Sequence, residues 1–237
     1  LMGMAKVADH NINRRQSDLK LFELGQVSTL DMDSDTGARE TSHLGIFISG
    51  ELQSKQWSQE SVGTDVFHMK GILRSIYGDL FGQEIHFQSI EHDLFIDSIG
   101  IFNGDERIGV LGELKQLNQK LKSVRGIYSE VRIAENLGLE QNIQYQQISI
   151  YPAVERDLSI LIDSNIAFDQ IDETIQKNAG KSLVYSRLYD IYEGKSIASG
   201  KKSLTFRLVF QNKKRTLTEK EIDKDFKRIL KGLENAY

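Results

Sequence analysis

The sequence predicts an α+β protein built in two parts, and three observations carry that expectation. In the last third, short runs with apolar residues at alternate positions are interleaved with stretches whose apolar residues recur every three to four positions. The longer leading part repeats both patterns with its own turn signals. Between them lies Gln141-Asn142-Ile143-Gln144-Tyr145-Gln146-Gln147, polar and without a period, which reads as a connector. The boundary is placed near Gln146, giving domains 1–146 and 147–237.

In the first domain, Asp18-Leu19-Lys20-Leu21-Phe22-Glu23-Leu24-Gly25 and residues 43–49 read as strands. So do Ile99-Gly100-Ile101-Phe102 and Ile108-Gly109-Val110-Leu111, joined by an Asn103-Gly104 turn. Helices are predicted at 2–15, around 115–121, and at 64–81 with Val66, Met69, Leu73, Ile76 and Leu80 on one face. Helices beside a largely antiparallel sheet make an α+β layer.

The second domain reads strand, helix, strand, strand, helix. Residues 156–162 alternate, with Leu158, Ile160 and Ile162 on one face and Asp157, Ser159 and Leu161 on the other. Phe168, Ile171, Ile175 and Ala179 share a helical face, and Gly180 is a natural stop. Leu204, Phe206, Leu208 and Phe210 alternate with Thr205, Arg207, Val209 and Gln211, which directs Arg207 away from the helices. Thr218 with Glu221 three residues later opens a helix carrying Ile222, Phe226, Ile229, Leu230 and Leu233. The order is that of a ferredoxin-like split βαβ sandwich lacking its last strand.

Composition narrows the class. The 237 residues are 39% hydrophobic and 27% charged, enough for packed cores, and no apolar run approaches the roughly 20 residues that a bilayer requires. The absence of cysteine removes disulfides, thiolate metal sites and cysteine nucleophiles, and a reducing cytoplasm fits. The chain begins at Leu1 without a signal-like leader and reads as a piece of a longer polypeptide. The formal charge is −4, yet residues 195–215 hold Lys195, Lys201, Lys202, Arg207, Lys213, Lys214 and Arg215 and no acidic residue. Local basic charge on a strand inside an acidic chain is a candidate phosphate-facing surface, since neutralised phosphates release counterions; it equally serves a solvated edge.

Four blocks tie this segment to a family. They are Tyr151-Pro152-Ala153-Val154-Glu155-Arg156-Asp157-Leu158-Ser159, Leu188-Tyr189-Asp190-Ile191-Tyr192-Glu193-Gly194, Gly200-Lys201-Lys202-Ser203-Leu204-Thr205-Phe206-Arg207-Leu208, and Lys214-Arg215-Thr216-Leu217-Thr218 with Glu221-Ile222. In that order and spacing they resemble the ferredoxin-fold anticodon-binding domain ending the beta subunit of bacterial phenylalanyl-tRNA synthetase. Asn13-Arg14-Arg15, Leu21-Phe22-Glu23-Leu24-Gly25, Gly109-Val110-Leu111-Gly112-Glu113 and Glu130-Val131 resemble the same family's catalytic-like domain, a class II synthetase core without its chemistry. The resemblance implies a noncatalytic tRNA-binding and scaffold role in a ligase. It also implies an alpha-subunit partner in an alpha2beta2 assembly, with ATP and magnesium used by the full enzyme rather than by this segment. Family members continue into a final edge strand, which this chain does not show.

Gly194-Lys195-Ser196-Ile197-Ala198-Ser199-Gly200-Lys201-Lys202-Ser203 has five residues between its glycines and precedes a strand, so it is not a nucleotide-binding loop. The histidines (His10, His43, His68, His86, His92) are scattered, and the acidic turn of Asp31, Asp33, Asp35 and Gly37 lacks the later Glu of a calcium loop. A class II adenylation site needs an arginine on a strand for the α-phosphate and another after a Gly-x-Gly turn. Here Arg14 and Arg15 fall on a predicted helix, and the turn after Gly109 leads to Glu113 and Lys115. The RNA-binding candidates are therefore Arg156, Tyr189, Lys195, Lys201, Lys202, Arg207, Lys213, Lys214 and Arg215, with Tyr189 preferred over Tyr192 as a stacking surface because the two fall on opposite faces of an unbroken strand. Arg156 and Asp157 serve either the RNA surface or a local ion pair. A stand-alone RNA-binding or regulatory protein built from the same domains is the alternative, and an independent enzyme is disfavoured for want of a complete constellation.

Overall fold

A computed structural model of the protein describes residues 2–33, 35–115, 125–133, 145, 147–194 and 196–237. The chain divides into two compact units, Leu1–Ile143 and Gln144–Tyr237. Within the described residues it is α+β, with antiparallel sheets and four α-helices. None of these helices is long and apolar enough to cross a membrane.

The first unit opens with α1 (Met2–Ile12), followed by the long hairpin of β1 (Lys20–Leu30) and β2 (Ala38–Ser49). A small hairpin, β3 (Glu51–Gln53) and β4 (Val62–Gly63), leads to α2 (Val66–Ser75). Then come β5 (His86–Ser89), β6 (Phe95–Asn103), β7 (Glu106–Leu114) and β8 (Gly126–Ile133). The six long strands form one antiparallel sheet in the order β1-β2-β8-β7-β6-β5.

Helices cover both faces of this sheet, which explains why Ile46, Phe47 and Ile48 are all buried in succession. Ile46 and Ile48 join Met69 and Leu73 of α2, along with Ile101, Leu111 and Val131. Phe47 instead packs with Met4, Ala8 and Ile12 of α1, and with Phe95 and Tyr128.

Two helices depart from their expected limits. α1 stops at Ile12, so Arg14 and Arg15 lie in the following turn, with Arg15 in the left-handed region at φ 65°. α2 is capped by Asp65, whose carboxylate accepts from the His68 N–H at 2.9 Å, and it passes into a π-helical turn over Ile76–Leu80. The wider turn rotates the apolar face. Tyr77 is buried and donates its hydroxyl to the Arg132 carbonyl at 2.7 Å, while Leu80, expected inside, is 56% exposed. Burial pushes the Tyr77 hydroxyl up to about 12. The helix expected around 115–121 and most of the expected connector lie outside the described residues.

The second unit runs β9 (Val154–Asp163), α3 (Phe168–Asn178), β10 (Leu183–Tyr192), β11 (Lys201–Phe210) and α4 (Glu219–Ala236). Its sheet order is β10-β11-β9, antiparallel throughout. The apolar stripes of α3 and α4 supply Ile171, Ile175, Ile222 and Ile229, which pack on Leu158, Leu204, Phe206 and Leu208. The ring of Phe206 is fully buried and stacks on Phe168 with centroids 5.8 Å apart. Fully burying such a side chain contributes about 1.5–3 kcal/mol. At the head of α4, Glu221 reaches back to accept from the Thr218 N–H at 3.0 Å, as the capping pattern predicts.

Candidate nucleic-acid interface

With α3 and α4 on one face of the second sheet, the residues of opposite parity form a helix-free face. β9 contributes Glu155, Asp157, Ser159, Leu161 and Asp163, and β11 contributes Lys201, Ser203, Thr205, Arg207 and Val209. Arg207 is at the centre of this face, as the alternation predicts. Its guanidinium forks onto the Asp157 carboxylate, with bonds of 2.9 and 3.0 Å, and lies 3.5 Å from Glu155. It also covers the Tyr189 ring at 4.2 Å from the centroid. The bonds from Arg207 hold the Asp157 carboxyl below the usual carboxylate range. Asp157 thus pairs across the strands with Arg207, and the local Arg156–Asp157 pair weighed from the sequence does not form; Arg156 donates to the Glu155 carbonyl.

β10 carries irregularities that the sequence period hides. Leu188 opposes Phe206 and Asp190 opposes Thr205, so Tyr189 is an extra residue in a β-bulge. The bulge reverses the parity of the residues after it. Tyr192 opposes Ser203 and therefore shares the helix-free face with Tyr189, which corrects the expectation that the two tyrosines lie on opposite faces. Tyr185, opposite Val209, joins them, and the three rings are 49%, 62% and 45% exposed in chain order. Ser196 donates its hydroxyl to the Tyr192 oxygen at 2.9 Å. The chain passes so close that a Cβ on Gly194 would sit 2.5 Å from that oxygen. Three edge aromatics on one open face can stack on bases of any sequence.

The charge on this face is mixed. Arg187, Lys201 and Arg207 stand against Glu155, Asp157, Asp163 and Asp190. Lys201 lies 3.3 Å from Asp163. Of the other predicted cations, Arg156 and Lys202 have the helix-side parity, and Lys202 donates to the Ser164 and Ile166 carbonyls at 3.0 and 2.8 Å. Arg215 forks onto Glu221, which that pairing draws well below the usual carboxylate range. Lys213 and Lys214 are exposed after β11, and Lys195 lies outside the described residues. The structure thus places Tyr189, Lys201 and Arg207 on one face and the other described candidates off it. Sequence reasoning passed over Tyr185 and set Tyr192 aside on parity; the clustering of Tyr185, Tyr189 and Tyr192 was the available signal, but their common face depends on the bulge.

Residues 1–126, more than half of the chain, match the family described as the phenylalanyl tRNA synthetase beta chain CLM domain. The chain belongs to the phenylalanyl-tRNA synthetase beta chain family. Residues 149–237, which hold the tyrosine face, match the ferredoxin-fold anticodon binding domain. Relatives in this family include the phenylalanine–tRNA ligase beta subunit of Bacteroides thetaiotaomicron, 30% identical over 98% of this chain and 30% of its own length. That of Listeria monocytogenes is 32% identical over 98% of this chain and 29% of its own. The chain therefore spans about a third of the length of these beta subunits.

Proposed function

We propose that this chain is the noncatalytic tRNA-binding and scaffold part of a phenylalanine–tRNA ligase beta subunit, contributing to ATP-dependent aminoacylation of tRNA(Phe) by holding the anticodon end. The observation that carries the reading is the helix-free face of the second unit, where Tyr185, Tyr189 and Tyr192 stand exposed within the span matching an anticodon-binding family. Stacking on exposed aromatics contributes roughly 1–3 kcal/mol per base and tolerates mixed surface charge, with Lys201 at the start of β11 and Lys214 beyond its other end as cations for phosphates. Residues 1–146 form the class II synthetase-like, noncatalytic domain and 147–237 the anticodon-binding domain. A final strand would complete the split βαβ arrangement along β9. The enzyme works in the cytoplasm.

The chemistry belongs to the alpha subunit of an alpha2beta2 assembly, which uses ATP and magnesium. Among the described residues, the cleft on the α1 side of the first sheet has Glu23 and Glu130 in its lining, which does not favour a triphosphate. Arg125 stands beside Glu113 instead, forked onto its carboxylate at 2.6 and 2.9 Å. The other side of that sheet suits a protein partner. An apolar groove of about 450 Å³ runs between β1 and α2, with Phe22 and Leu24 exposed along it.

The test is binding of tRNA(Phe) to the full synthetase across a salt series, together with pyrophosphate exchange by the isolated chain. Specific tRNA binding weakened by changes to the tyrosine face, and no phenylalanine-dependent exchange, are expected. Exchange by the purified chain, or tRNA binding indifferent to the second unit, would overturn the reading.

A further inference from the structure

The outer face of α4 carries a row of cations. Lys220, Lys224, Lys227 and Lys231 recur at the spacing of one helical face, opposite Ile222 and Ile229, which pack on the sheet. All four are exposed. At 1.5 Å per residue the row is about 16 Å long, roughly five nucleotides of one strand at 3.4 Å each. Arg228 stands on one flank and donates to the Asn178 carbonyl at 2.5 Å, while exposed Asp223 and Glu234 stand on the other.

This arrangement works against the helix. Like charges four residues apart repel, as Lys220 does Lys224 and Lys227 does Lys231, and a cation in the first turn opposes the helix dipole. Asp223, four residues before Lys227, offsets only part of this. Other acids of α4 are engaged elsewhere. Glu221 is forked with Arg215, and Asp225 accepts the Ser182 hydroxyl and lies 3.8 Å from Arg228. Among the described residues, none of the four ammonium groups of the row is in an ion pair. A polyanion laid along the row replaces repulsion with attraction, and the counterions it sheds add affinity.

The character of the face selects its partner. From Lys220 to Lys231 it offers no apolar or aromatic side chain, so it has no anchor for a protein interface. The apolar side of α4 is packed on the sheet and cannot enter a bilayer, as a membrane-surface helix requires. Flexible point charges in line match a backbone of evenly spaced phosphates without reading bases. A base-paired stem presents such a backbone outward and keeps its bases inside.

We infer that α4 binds the phosphate backbone of a double-stranded RNA stem along Lys220, Lys224, Lys227 and Lys231, independent of sequence. The choice of RNA rests on the reading that the second unit meets tRNA; the place and charge of the row do not. The row lies on the helix side of the sheet, so this contact is distinct from the tyrosine face.

The test is fluorescence anisotropy of a labelled RNA duplex of about 16 base pairs with the 237-residue chain across a salt series. Changing all four lysines to glutamine keeps helix propensity, and it should weaken binding at least about tenfold at low salt and lower the salt slope by about two units or more. Changing all four to arginine should preserve both. Lys6→Gln with Lys115→Gln, which removes charge from the first unit, and Tyr192→Ala should each leave duplex affinity within about twofold. Loss of tRNA binding in the tyrosine variant alone therefore reports on the tyrosine face, and loss of duplex binding in the lysine variants on α4. The inference is overturned if the folded glutamine variant binds within about twofold of wild type, or if the first-unit variant loses as much. It is equally overturned if the row binds phosphatidylserine vesicles or poly-glutamate as tightly as the duplex. Should the fourfold glutamine variant fail to show a thermal transition, Lys224→Gln with Lys227→Gln decides, with a loss of at least about threefold and about one unit of slope expected.

Discussion

Replacing Tyr192 by alanine tests the tyrosine face most directly. The ring is 45% exposed on the edge strand, and its oxygen accepts the Ser196 hydroxyl at 2.9 Å, so its loss should alter stability by no more than about 0.5 kcal/mol. If one base stacks on it, the loss in tRNA affinity should be roughly 1–3 kcal/mol, or about 5- to 150-fold. Tyr189→Ala should fall toward the low end of that range, because Arg207 already occupies one side of its ring and leaves one for a base. The salt dependence supplies the discriminating readout. Stacking displaces no counterions, so the slope of log affinity against log salt between about 50 and 200 mM should be the same in Tyr192→Ala as in wild type. Tyr192→Phe should restore the affinity. The assay is fluorescence anisotropy of labelled tRNA(Phe) with full synthetase carrying each variant, after a thermal melt has shown the fold intact. Affinity within about twofold of wild type, or a slope reduced by one unit or more, would refute stacking as the role of this ring.

Other consequences can be measured separately. Arg207→Ala should lower the salt slope by less than about one unit, because Asp157 already shares the charge; a full-unit fall would contradict the fork. The same substitution should raise the Asp157 carboxyl toward its ordinary range in an NMR titration. The sign follows from linkage: a depressed folded value means that the pair contributes stability above the ordinary aspartate range and loses it as pH falls through the folded value. Phe206→Ala, at a fully buried position stacked on Phe168, should cost about 3–5 kcal/mol in chemical denaturation, and a cost under about 1 kcal/mol would show that the second core is not packed as described. Tyr77, raised from its ordinary 10 to about 12, contributes stability that is complete below pH 10 and declines between pH 10 and 12 by roughly 2–3 kcal/mol. Tyr77→Phe should lessen that alkaline loss in pH-dependent unfolding, and an identical pH profile would exclude Tyr77 as its source.

The second unit was legible in the sequence because its local signals agree. Phe206 and Leu208 alternate with Arg207, and the capping pattern at Thr218 starts α4 within one residue of where the chain turns helical. What escaped depends on single-residue slips. A bulge adds one residue at Tyr189 without changing residue type, and it moves Tyr192 across the sheet. The π-helical turn does the same in α2, burying Tyr77 in place of Leu80. The pairing of the cations was hidden for another reason. Lys201 meets Asp163 and Arg207 meets Asp157 only after β9 and β11 align, so a run with no acidic residue in sequence becomes a mixed surface in space.

The two borders of the small sheet have different capacities for association. β10 is interrupted twice, beside Val184 and at Tyr189, so its outer backbone cannot present an even row of donors and acceptors. Such an edge is a poor template for another chain. β9 runs in unbroken register with β11 from Val154 to Asp163, and among the described residues nothing pairs with its other side. The irregular border is thus the one free to carry aromatic side chains toward a ligand without recruiting a stray strand. The straight border is where self-association of this 237-residue segment would begin.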